Sequence, residues 1–140
     1  MGNRFAVVLV AAVIGGGTSA CSAQPATAPE SSGEVTIGGT THPAGVISCS
    51  QLQWYRTIEI GDQRAGAEAV ALINGERAEP MWVKFRDYGG FTGSFWEGGA
   101  GSANASIDGG VYTFTGTAYG VNASEPNRPT TTNFKIVADC

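Results

Sequence analysis

A chain of 140 residues with 8 Lys and Arg against 12 Asp and Glu carries a formal charge of -4, so it offers no basic surface for nucleic acid or for anionic headgroups. Its length leaves room for one modest core and excludes two. The 21 glycines suit many tight turns and argue against a helical bundle.

The amino-terminal segment has the layout of an export signal. Arg4 supplies a positive start, Phe5 to Ile14 (FAVVLVAAVI) is unbroken apolar, and the small residues Gly15 to Ala20 run directly into Cys21. The apolar run is too short for a permanent transmembrane helix, which needs about 20 residues. Two outcomes fit. In the first, residues 1–20 are a lipoprotein signal peptide removed before Cys21, whose thiol then carries a diacylglycerol. In the second, the signal is an ordinary secretory one and Cys21 stays bare. Thr18 stands where a lipoprotein signal usually has Leu, whereas Ser19 and Ala20 fit the small pair before the cysteine. Each buried methylene contributes about 0.8 kcal/mol, so two acyl chains anchor stably where one is marginal. The first outcome predicts an exported protein lipid-anchored in the cell membrane or outer envelope, facing outward. Residues 21–33 (CSAQPATAPESSG) contain too little apolar surface to order themselves and read as a flexible tether, leaving 34–140 as the folded domain.

Within 34–140 the apolar residues alternate at the strand period. Leu52 to Ile60 reads as one strand, with Leu52, Trp54, Arg56, Ile58 and Ile60 on one face. Ala65 to Ile73 has helix-friendly composition but is short and runs into Asn74-Gly75, so it reads as a buried strand. Met81 to Tyr88 divides into Met81, Val83, Phe85 and Asp87 against Trp82, Lys84, Arg86 and Tyr88. Ala103, Ala105 and Ile107 lead through Asp108-Gly109-Gly110 to Tyr112, Phe114 and Ala118, the clearest hairpin signal in the chain. Phe134 and Ile136 alternate with Lys135 and Val137 near the end. The fold class is therefore all-β: an antiparallel sandwich or partly open barrel of about eight or nine short strands. With Cys21 modified, Cys49 and Cys140 remain. In an exported protein such a pair forms one disulfide, the other reading being two free thiols.

Catalytic constellations are sparse. His42 is the single histidine and reads as an ordinary surface residue. No metal ligand set and no cofactor motif stands out. Glu76, Glu79, Asp87, Glu97 and Asp108 fall at turns and strand ends, where carboxylates normally serve as solvating charges, and the chain reads as no enzyme. Trp82, Tyr88 and Trp96 fall in opposite phase to Phe85, Phe91 and Phe95. These three rings either form a surface patch fit for a sugar, an acyl chain or a partner protein, or fold over a sheet edge into the core.

Signal, Cys21, Thr/Ser/Ala/Pro tether, Gly45-Val46-Ile47-Ser48-Cys49, Gly101 to Ser106 (GSANAS), Tyr112 to Val121 (YTFTGTAYGV) and Cys140 together resemble the mycobacterial LpqH-like lipoprotein antigen family. The resemblance spans nearly the whole exported chain. It implies a cell-envelope lipoprotein without catalytic activity whose acylated amino terminus is sensed by host Toll-like receptor 2. Cys21 would be the functional position and Cys49 with Cys140 the structural pair. A carrier of envelope lipid or glycolipid is the alternative, and it requires an enclosed apolar cavity of several hundred Å³. A polysaccharide hydrolase is a remote one, requiring two carboxyl groups about 5 to 10 Å apart in a cleft.

Overall fold

The computed structural model describes residues 31–140. Those residues form ten strands and no helix: β1 Gly33–Ile37, β2 Thr40–Pro43, β3 Ile47–Leu52, β4 Tyr55–Gly61, β5 Gly66–Asn74, β6 Arg77–Tyr88, β7 Phe91–Trp96, β8 Ser102–Asp108, β9 Val111–Asn122 and β10 Glu125–Asp139. Every pairing is antiparallel, and the ladder runs β2-β1-β10-β9-β7-β6-β5-β4-β3, with β8 paired to β9 beside β7. The path ends at β2 and β3 without joining them, so the sheet is not closed.

The sheet curls until its two halves meet. Phe85 of β6 lies 5.4 Å, centroid to centroid, from Phe134 of β10 and 6.0 Å from Phe91 of β7. Phe85, Phe91, Phe114, Ile58, Ile60 and Ile136 are the largest fully buried side chains, so the middle of the fold is filled by residues from both halves. Ala67, Ala69 and Ala71 bring β5 close to this core; the stretch expected to be a buried strand is one. Cys49 of β3 is bonded to Cys140, just beyond β10, with a Cα–Cα distance of 5.9 Å. This covalent bridge ties one free edge of the ladder to the opposite half.

Turns follow the glycines where a left-handed backbone is required. Gly109 and Gly110 both have positive φ and join β8 to β9, with Asp108 opposite Val111. The two-residue loop is the geometry that the Asp-Gly-Gly sequence favours, because its backbone twist matches that of the flanking strands.

Two readings of the strands need correction. Leu52 to Ile60 is not one strand: Gln53 and Trp54 form a two-residue turn, Gln53 has φ 55°, and Leu52 pairs directly with Tyr55. Paired residues share a face, so Leu52 sits with Tyr55 on the outside, 78% exposed, while Arg56, Ile58 and Ile60 point inward. Tyr88 is also not on the outward row of β6. Arg86 and Asp87 together oppose Thr92, Asp87 has φ 43°, and its N–H donates to Thr92 Oγ1 at 2.9 Å. This bulge adds one residue and turns Tyr88 into the core.

Candidate functional site

The register of β6, β7 and β9 assembles one outward-facing row of side chains. Trp82 lies opposite Trp96 and Lys84 opposite Ser94; on the next ladder Ser94 lies opposite Tyr119 and Thr92 opposite Val121. The inward partners of this row, Val83, Phe85, Phe91 and Phe95, are buried, so core packing fixes which side chains face out. Trp96 is 62% exposed and Tyr119 50% exposed, whereas Trp82 is half-buried.

Along this row lies a groove of about 360 Å³, lined by Trp82, Lys84, Phe85, Thr92, Gly93, Ser94 and Trp96. Its lining combines the two indoles with the Thr92 and Ser94 hydroxyls. The indole N–H of Trp96 donates to Ser94 Oγ at 2.9 Å, which fixes how that ring lies along the strand and leaves its ring surface toward solvent. Lys84 is exposed on the same row, and among the described residues no carboxylate lies within ion-pair distance of it. Its neighbour Arg86 is engaged, 3.8 Å from the Glu68 carboxylate and donating to the Asp62 carbonyl oxygen at 3.1 Å.

Of the three aromatics singled out from the sequence, the structure brings Trp82 and Trp96 together and separates Tyr88. Tyr88 packs in the core with His42 edge-on at 5.9 Å, and burial pushes its hydroxyl pKa up. Tyr119, Lys84, Thr92 and Ser94 were not singled out. Their signal was present: Tyr119 continues the row of Thr113, Thr115 and Thr117, and Thr92 and Ser94 alternate with Phe91 and Phe95. Cys21 lies outside the described residues.

The other candidate groups do not converge on this groove. Glu76, Asp87 and Asp108 are exposed at separate turns and strand ends. Glu79 and Glu97, also exposed, border a second depression with Pro80, Phe95 and Ala103. Among the described residues no three His, Cys, Asp or Glu side chains form a group able to hold a metal ion. The aromatic groove opens on the outer face of the sheet and is not an enclosed interior chamber of the kind a carrier of whole lipid chains needs.

A single curled antiparallel sheet, tied by one disulfide and carrying its aromatic groove on rigid strands, defines a small all-β module. The chain belongs to the Mycobacterium 19 kDa lipoprotein antigen family, whose model matches residues 26–140. It is 43% identical over the full length of both chains to a protein named probable lipoprotein LppE from Mycobacterium tuberculosis. A putative lipoprotein of Mycobacterium indicus pranii is 38% identical over 95% of this chain and 93% of its own. Lipoprotein LpqH of Mycobacterium bovis is 33% identical over 76% of this chain and 67% of its own.

Proposed function

We propose that this protein is a cell-envelope lipoprotein, held to the membrane by an acylated Cys21, whose β domain is a non-catalytic module displayed outward for binding. The observation that carries the reading is the family match across residues 26–140, together with relatives named as lipoproteins and a cysteine placed directly after the signal-like segment. Residues 21–32 separate the anchor from β1 and can span at most about 40 Å when fully extended, enough to hold the domain off a lipid surface. The non-catalytic reading is supported by the exposure of Glu76, Asp87 and Asp108 at separate turns and strand ends, and Glu79 and Glu97, which border one shallow depression, are exposed as well.

Mass spectrometry of the amino-terminal peptide from native membranes tests the anchor. A diacylated Cys21 is expected; a bare Cys21 or a retained signal overturns it. In detergent phase partitioning the native protein should enter the detergent phase and Cys21→Ser the aqueous phase. The same reading assigns recognition by host Toll-like receptor 2 to the acylated terminus, so Cys21→Ser should abolish signalling in a receptor reporter cell while a variant of the β domain, Trp96→Ala, should retain it.

A further inference from the structure

We propose that the groove lined by Trp82 and Trp96 is a saccharide-binding site. The inference rests on the reading of the β domain as a binding module and adds the chemical class of what it binds.

Three observations select a sugar. A sugar ring is amphipathic: its C–H face is apolar and weakly positive, and its rim carries hydroxyls. An aromatic ring surface carries the negative side of the π quadrupole and suits that C–H face. The groove presents such a surface on Trp96, which is mostly exposed, and Tyr119, half exposed and opposite Ser94 on the next ladder, stands beside the groove without lining it. The polar part of the lining supplies what the hydroxyl rim needs. Thr92 and Ser94 offer hydroxyl groups, whose oxygens accept from Asp87 N–H and Trp96 Nε1–H and whose protons remain to donate, and Lys84, opposite Glu68 on the β5–β6 ladder but not in an ion pair with it, offers an ammonium. A volume of about 360 Å³ lies within the range of small-molecule sites, at its lower end.

An acyl chain could cover the indoles of this groove but would leave its polar groups unserved. Methylenes laid over Thr92, Ser94 and Lys84 would strip water from two hydroxyls and a cation and return no hydrogen bonds. The site is also pre-set. Trp96 is already fixed by its bond to Ser94, and all lining residues stand on β6 and β7 or the start of their shared ladder, so little ordering remains when a ligand arrives.

The test uses the full lipoprotein, extracted in a detergent whose headgroup is not a sugar, on an array of neutral and uronic-acid oligosaccharides. Native protein should bind at least one glycan. Trp96→Ala should weaken that binding about tenfold or more, as loss of an aromatic contact does. Trp96→Phe should restore most of it, and Trp54→Ala, which removes an exposed indole from the distant β3–β4 turn, should leave it unchanged. Absence of glycan binding, or binding that Trp96→Ala leaves intact, overturns the proposal. So does quenching of the groove tryptophans by neutral phospholipid vesicles in place of any glycan. Cys21→Ser should bind glycans as the native chain does. Loss of the anchor and loss of the sugar site are therefore read separately, the first in detergent partitioning and the second on the array.

Discussion

Arg56 occupies an inward position on β4, where an unpaired cation would be costly, yet it stands opposite a residue that receives it. Its Nε–H donates to the Tyr112 hydroxyl at 3.0 Å and its guanidinium lies 5.0 Å from the centre of that ring, joining the two halves of the curled sheet. Tyr112→Phe keeps the ring and removes the acceptor. It should cost about 1 kcal/mol in urea unfolding. Asp62 is held below the ordinary carboxylate value of 3.8 by N–H donors from Ala65 and Arg64, with Arg86 adding a smaller effect of the same sign. A carboxyl whose folded pKa is depressed contributes stability above its unfolded value and loses it as pH falls through the folded one. Asp62→Asn should therefore flatten the acid side of a melting-temperature profile. Tyr88 behaves in the opposite sense. Burial raises its pKa above 10.0, so its contribution is full below that pH and is lost as pH rises beyond it. Tyr88→Phe should flatten the alkaline side of the same profile.

At the scale of the strand, two devices shape the region around the groove. Gly120 of β9 sits where a Cβ would collide with the Thr92 carbonyl oxygen and the Gly93 backbone, so the β7–β9 ladder closes only around a glycine. Gly120→Ala should destabilise the fold by about 1 to 3 kcal/mol in denaturant unfolding, through overpacking. The bulge at Arg86 and Asp87 sets the phase of β6. Asp87 holds a positive φ there, so Asp87→Gly should be tolerated or stabilising, and Asp87→Val should cost about 1 to 3 kcal/mol. These devices also mark what the sequence could convey. Alternation made β6, β7, β9 and the end of β10 readable, because their buried rows are Val, Phe, Tyr and Ile against polar neighbours. It failed at Gln53-Trp54, where a two-residue turn is hidden inside an alternating run, and at Tyr88, where one inserted residue reverses the count. It had nothing to offer on Glu125 to Thr132, the polar and proline-bearing start of β10, or on the short polar β2. Half of the groove was legible for the same reason: Trp82 and Trp96 lie on regular stretches of strand, but their meeting depends on a register that only pairing reveals.

For the whole molecule, the bond between Cys49 and Cys140 closes a segment with a sequence separation of 91 and holds β3, the last strand of the ladder, to the far half. In the chain-entropy model a loop of that size is worth about 4 to 5 kcal/mol. Cys49→Ser with Cys140→Ser should lower the free energy of unfolding by 2 to 5 kcal/mol, roughly that range for small secreted domains, measured by guanidinium titration. The path of the sheet carries a further consequence. β10 lies between β1 and β9, so the earliest of the described strands has the latest, the 15-residue β10, as its bridge to the rest of the sheet. A ribosome delivers these two partners at opposite ends of the described segment. The β1–β2 hairpin must therefore wait, unpaired on that side, until β10 has been made, so among the described strands this edge of the sheet is completed last.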